Sequence, residues 1–307
     1  MVGQAGIGRF SEGLWQGLVS RGADVVGLVP AREDGWRGDA TAPPGPTVVV
    51  RSRPFGVAEQ VEVPRVVTRI GAGVYHSAHL TVPHLRRGPV VLTVHDLFPV
   101  KWPRHARSRA AAMYYRAAFP LALGRADAVV AVSPYTARMI QEVLPVPPAK
   151  LHMVEHGIDH DRWRPAPEAE IEAALAALGL QRPYVLYSGT AKWHKNLPVL
   201  LDAYRGDLPA LVMAGPTSEE VAAAAPGIEN PLVRPLGRVA SDLLPAVYSG
   251  ATALVLPSLH ESVGFTALEA MACGVPVVAS TGGCLPETVG DAGVLVPADD
   301  VAGWRES

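Results

Sequence analysis

Short, wholly apolar runs alternate with longer amphipathic stretches along the chain. Candidate strands are Val25–Val29, Thr47–Val50, Val74–His76, Val90–Val94, Ala128–Val132 and Leu151–Val154, then Tyr184–Tyr187, Ala210–Ala214, Leu232–Leu236, Ala253–Leu256, Val275–Ala279 and Gly293–Val296. Val, Leu and Ile fill consecutive positions in these runs, as in parallel strands covered on both faces. Between them, Arg9–Ser20 sets Leu14, Leu18 and Val19 on one side of a helix. Ala106–Leu123, Pro134–Leu144, Glu168–Leu178, Ala240–Ser249 and Thr266–Cys273 read the same way. The alternation predicts an α/β fold made of doubly wound, Rossmann-like domains. The segment DRWRPAPEAE has two prolines and then acidic residues suited to a helix start. It divides the chain into domains 1–164 and 165–307.

The two ends depart from that plan. A Rossmann-like half opens with a strand feeding its first Gly-rich turn, whereas AGIGRF follows only four residues. VAGWRES stops where a helix is starting. The expectation is a truncated chain or a mis-set start, lacking the first strand and the last helices.

Composition narrows the function. Hydrophobic residues make up 49% of the 307 positions, enough for sizeable cores. Charged residues are 18% and the formal net charge is -2, without the basic footprint of a nucleic-acid binder. The two cysteines, Cys273 and Cys284, make no disulfide framework and read as reduced packing residues. No apolar run reaches the roughly 18 residues of a membrane span, and MVGQAGIGRF is not a signal peptide. The expected location is the cytoplasm.

The chemistry concentrates in the C-terminal half. HESVGFTALEAMACGVP follows the run ALVLP and carries Glu261 and Glu269, eight residues apart. One continuous helix would separate them by about 12 Å along its axis. Glu261 is therefore expected in a loop and Glu269 on the following helix. Gly264 and Phe265 then form that helix's first turn, whose unpaired N–H groups suit a diphosphate. The carboxylates suit sugar and ribose hydroxyls; the alternative is two solvated glutamates. Upstream, YVLYSGTAKWHKNL runs from a strand into a turn at Gly189 and Thr190, then to Lys195. A glycine lets backbone approach phosphate closely. A lysine 4 Å from an anion gains roughly 4 kcal/mol at an effective dielectric near 20.

These segments resemble the signatures of retaining glycosyltransferases of the GT-B fold, family 4. PSLHESVGFTALEAMACGVPVVAS resembles the family's E-x7-E segment, and Glu261-Ser262-Val263-Gly264 stands where Glu-Gly-Phe-Gly is usual. The resemblance implies that Glu261 contacts the donor sugar and Glu269 the ribose. The Gly189–Lys195 turn is similar to the element whose basic pair holds the diphosphate; Lys195 matches its lysine, and His194 stands in place of arginine, with Lys192 nearby. AGIGRF, with Gly6, Gly8 and Arg9, resembles the N-domain glycine loop. LGRVASDLLPAVYSG, around Gly237 and Val239, resembles the segment beside the base. STGGCLPETVGDAGVLV resembles the closing loop, with Gly282, Gly283 and Glu287, and VEHGIDHDRWRP the inter-domain element. His95 in VVLTVHDL, beside Asp96, matches a histidine placed near the reacting sugar.

The resemblance thus implies two domains facing a donor cleft, and transfer of a hexosyl group, mannosyl by overall likeness, to a hydroxyl acceptor without metal or resident cofactor. Catalytic roles fall to His95, Lys195 and Glu261. Donor-binding roles fall to Gly6, Gly8, Gly189, Thr190, Lys195, Val239, Glu261, Gly264, Phe265 and Glu269. His76 and His79 are weaker acceptor-side candidates. Asp159-His160-Asp161 spells a D-x-D metal motif but lies in the linker, so it is set aside. Lys101, Arg104, Arg107, Arg109 and Arg116 offer a basic face for anionic lipid or a lipid-linked acceptor; a solvated helix face is the alternative. Two other functions stay open: a nucleotide-sugar epimerase on the same fold, and a non-catalytic nucleotide-binding fragment.

Overall fold

The apolar runs form strands, and in the computed structural model every strand pairing among the described residues is parallel. Residues 6–31, 43–52, 56–78, 80–103, 108–228 and 230–307 are described. The chain divides into two compact units, Met1–His156 and Gly157–Ser307. The segment between the units' sheets, which the sequence divides at 164, goes with the second unit by its contacts: Trp163 is buried there edge-on against Tyr248.

In the first unit, helix α1 (Gly6–Ser20) precedes strands β1 (Gly27–Pro30) and β2 (Thr47–Val50), which pair with each other. Helix α2 (Glu59–Arg69) follows, then β3 (Tyr75–Ser77), β4 (Val90–Val94), the short α3 (Phe98–Lys101), α4 (Arg109–Arg125), β5 (Ala128–Ala131), α5 (Pro134–Val143) and β6 (Leu151–Met153). Strands β3 to β6 lie in chain order in a four-stranded sheet. The side chains of Ser108 and Ser133 accept hydrogen bonds from the first turns of α4 and α5, which fixes where both helices begin. Phe119, Ala122 and Leu123 of α4 and Met139 and Ile140 of α5 pack on Val90, Leu92, Val94, Val129 and Ala131. Helix α2 escapes the sequence reading because Pro64 sits inside it and valines crowd it. It forms because Val63, Val66 and Val67 share one buried face.

The second unit runs α6 (Glu168–Leu178), β7 (Tyr184–Ser188), α7 (Leu197–Ala203), β8 (Ala210–Ala214), α8 (Ser218–Ala224), β9 (Val233–Gly237), α9 (Leu244–Ser249), β10 (Ala253–Leu256), α10 (Phe265–Ala272), β11 (Val277–Ser280), α11 (Leu285–Val289), β12 (Val294–Val296) and α12 (Val301–Glu306). Its six strands lie in the order β12-β11-β10-β7-β8-β9. Both faces are covered. Leu254 and Leu256 of β10 belong to one buried cluster, while Val255 between them belongs to the other. That two-sided burial is why the run is apolar at every position. Among the described residues no helix is long and apolar enough to cross a membrane.

Candidate functional site

The second sheet grows outward from β7 through β8 to β9, then returns to place β10 on the other side of β7. The strand order reverses between β7 and β10, and in such sheets the crevice beyond the strand ends at that reversal takes ligands. Both halves of the predicted donor signature emerge there, Gly189 from β7 and Ser258–Gly264 from β10.

Backbone contacts bring them together. Gly189 N–H donates to the Ala214 carbonyl at 3.0 Å, and a Cβ added to Gly215 (φ 125°) would stand 1.9 Å from the Gly189 oxygen. The chain then turns through a short 3-10 helix, Trp193–Lys195, into Asn196 at φ 55°. Asn196 Nδ2 donates to the Pro257 carbonyl at 3.1 Å and the Ala298 carbonyl at 2.7 Å. Leu259 N–H donates to the His194 carbonyl at 2.7 Å. The turn after β7 is thus tied to the loop after β10, and Lys195 reaches Glu261. Lys195 Nζ lies 2.6 Å from Glu261 Oε1, with each side chain 15% exposed. Ser258 Oγ donates to the same oxygen at 2.7 Å.

Burial alone would raise the Glu261 carboxyl. The Lys195 ammonium, its hydrogen bond, the Ser258 hydroxyl and nearby His194 outweigh that and hold it below the usual carboxylate range. The Glu261 backbone is clamped as well. Cys284 N–H donates to its carbonyl at 2.9 Å. Gly283, at φ 68°, passes so close that a Cβ there would lie 2.2 Å from that carbonyl oxygen. Thus the closing-loop glycines press on the loop that carries the first glutamate.

Gly264 takes a left-handed conformation (φ 74°) at the head of α10, and Phe265 opens the helix. The loop glutamate and the helix glutamate fall where the spacing predicts them. Their surroundings differ more than expected. Glu269 is buried, 3% exposed, and accepts a hydrogen bond from Tyr248 OH at 3.0 Å. Thr190 is exposed, and its carbonyl accepts from Tyr187 OH at 2.7 Å. Val239 is buried in the core cluster beyond β9.

In the first unit, His95 follows β4 and is buried. Its ring stands edge-on to Phe10, with centroids 4.6 Å apart, and its Nδ1 is 3.4 Å from His156 Nε2. Asp96 accepts from Phe98 N–H at 3.1 Å. Gly6 and Gly8 lie in the first turns of α1, which begins earlier than the predicted Arg9, so they are helical here and not part of a preceding loop. Helical placement costs Gly less than the packing of the same helix returns through Trp15, which is buried. His76 Nε2 is 2.7 Å from Thr93 Oγ1. His79, Arg104 and Arg107 lie outside the described residues. Lys101 is paired with Glu142, while Arg109 and Arg116 are exposed. Asp159 accepts from the N–H groups of Asp161 and Arg162, a turn-capping role.

Ser258, Tyr248, Phe10 and His156 go unnoticed in the sequence. Only Ser258 has a usable signal there, its place three residues before Glu261 at a strand end.

Residues 5–162 match the family described as Glycosyltransferase Family 4, which is more than half of the chain. The chain belongs to this family of glycosyltransferases. Residues 182–307 match a second family description, Glycosyl transferases group 1. The O-antigen chain mannosyltransferase B of Escherichia coli is 32% identical over 241 residues, covering 74% of this chain and 62% of its own length. The chain therefore spans about three-fifths of that curated relative. Among solved structures, sucrose-phosphate synthase from Thermosynechococcus elongatus superposes with a TM-score of 0.77 at 21% identity, over 99% of this chain and 84% of that one. Anabaena HepE in complex with UDP-glucose gives 0.66 at 20% identity, over 85% of this chain and 75% of that one. The chain has the GT-B fold, with two Rossmann-like α/β domains. Lys195, Glu261, Gly264 and Glu269 fall within the group 1 match, and His95 and His156 within the family 4 match.

Proposed function

We propose that this glycosyltransferase moves a hexosyl group from a nucleoside-diphosphate sugar to a hydroxyl of a glycan or lipid-linked acceptor, with retention at the anomeric carbon. The observation that carries the reading is the Lys195–Glu261 pair at the β7/β10 reversal. It puts a cation, a carboxylate and the start of α10 at one ligand-binding edge. In this reading Lys195 and the α10 N–H groups stabilise charge developing on the leaving diphosphate. Glu261 accepts from donor-sugar hydroxyls, Glu269 serves the ribose through the wall it forms with Tyr248, and His95 positions the reacting sugar. The turn at Gly189 and Thr190 lies at the same edge and serves the diphosphate. The E. coli relative is a mannosyltransferase, which favours mannose as the sugar. The buried, free thiols fit work in the cytoplasm, and exposed Arg109 and Arg116 fit contact with an anionic membrane face.

The test incubates the full chain with GDP-mannose, UDP-glucose and ADP-glucose, with and without simple glycosides. Release of nucleoside diphosphate together with a new α-glycosidic bond from an α-linked donor is the expected result. Isomerised donor would favour an epimerase instead. Donor binding with no turnover at all would favour a non-catalytic nucleotide-binding chain.

A further inference from the structure

Three rings from distant parts of the first unit meet around His95. Phe10 comes from α1, His95 from the residue after β4, and His156 from three residues beyond β6. Strands β4 and β6 flank β5 in the sheet. Alternate strands stand about 10 Å apart, so the two imidazoles reach toward each other over the end of β5. Their ring centroids are 5.4 Å apart, and Nδ1 of His95 faces Nε2 of His156 at 3.4 Å. Phe10 packs on both, at 4.6 Å and 73° on His95 and at 4.5 Å and 39° on His156.

We propose that His156 is a positioning residue for His95, selecting one imidazole tautomer of it for the transfer reaction. This rests on the function proposed above. Two facing ring nitrogens attract only when one carries a proton and the other a lone pair. Burial pushes the His156 pKa down to about 4, so near neutral pH it is uncharged, with one donor and one acceptor nitrogen. The state of His95 Nδ1 is then the complement of that of His156 Nε2, a proton on one and a lone pair on the other. For a neutral His95 it thereby fixes Nε2, the nitrogen left for other partners. Phe10 holds both ring planes, so neither imidazole turns away without losing an aromatic contact.

The experiment compares wild type with His156→Phe and His156→Gln. Phenylalanine keeps the ring contact and removes both nitrogens, whereas glutamine restores a polar end at similar reach. Nitrogen-15 NMR of histidine-labelled full chain reads the tautomer of His95. Wild type is expected to show one tautomer, the Phe variant a mixture, and the Gln variant a return toward one form. In transfer assays kcat is expected to fall about five- to tenfold in the Phe variant, the worth of one hydrogen bond, with donor KM changed less than twofold and partial rescue by Gln. An unchanged His95 tautomer in the folded Phe variant overturns the proposal, and so does a shifted tautomer there with unchanged kcat. If wild type transfers no sugar, the reading of function fails on that result, while the NMR comparison still decides what His156 does to His95.

Discussion

Replacing Lys195 with alanine is expected to cost about 3 kcal/mol of folding stability and to slow glycosyl transfer about 10²–10³-fold. The stability loss comes from Glu261. Its carboxylate is 15% exposed and would keep the Ser258 hydroxyl and nearby His194 but no lysine. A largely buried charge that loses its partner costs more than the pair contributes when intact. The rate loss follows from the function proposed above, in which the Lys195 ammonium stabilises the leaving diphosphate. Urea unfolding at pH 7.5 measures the first, and diphosphate release at saturating donor the second. Full activity in this variant would remove Lys195 from the chemistry.

The stability loss also has a pH signature. The Lys195 ammonium keeps Glu261 below the usual carboxylate range in the folded protein, so its ionised form stabilises the fold. That contribution is fully present above the unfolded carboxylate pKa and is lost as the pH falls through the lower folded value. In Lys195→Ala, burial is left largely unopposed and the carboxyl takes up a proton at higher pH. The gap between the two unfolding free energies is therefore widest near neutrality; it starts to close as the pH falls through the variant's raised carboxyl pKa, above the unfolded value, and goes on closing down through the lowered one of wild type. A gap independent of pH would mean that the pair contributes nothing through its charge.

Gly215→Ala is expected to lower stability by at least about 3 kcal/mol, with the donor turn displaced as well. Two effects add. The φ of 125° is unfavourable for any side chain, and the new Cβ would lie 1.9 Å from the Gly189 carbonyl oxygen. That contact is with backbone, so the ends of β7 and β8 would have to part, carrying the Gly189–Lys195 turn with them. Gly13→Ala supplies the contrast. Gly13 lies inside α1 with nothing within 4 Å of an added Cβ, so alanine there is expected to stabilise by about 0.5–1 kcal/mol. Denaturant midpoints of the two variants should move in opposite directions; a Gly215 variant as stable as wild type would mean that the two strand ends are not in contact.

The strands were readable because of how they are buried. Ala253–Leu256 is apolar at every position since one cluster takes Leu254 and Leu256 and the other takes Val255. Glu168–Leu178 was readable through its acidic start and its glycine stop. Helix α2 was hidden by Pro64, and only packing of its three buried valines outweighs that penalty. Glu261 and Lys195 were visible one at a time, each within its own motif. Their meeting was not, since they lie 66 residues apart. It depends on β10 returning beside β7 and on the Asn196 bridge to the next loop, and neither is written at a local spacing. Burial of Glu269 against Tyr248 was equally hidden, because an acidic residue on a helix reads the same whether it faces water or a tyrosine. Gly6 and Gly8 read as a turn because glycine favours turns, yet the helix begins among them.

The chain's two cysteines both lie in the second unit, buried in its interior. Burial pushes the Cys273 thiol up to about 11 and the Cys284 thiol up to about 12. Alkylating reagents attack the thiolate, so the native protein offers them almost no target at neutral pH. Labelling at either sulfur therefore clocks the opening of the second unit alone, from within, while the first unit stays silent to the same reagent.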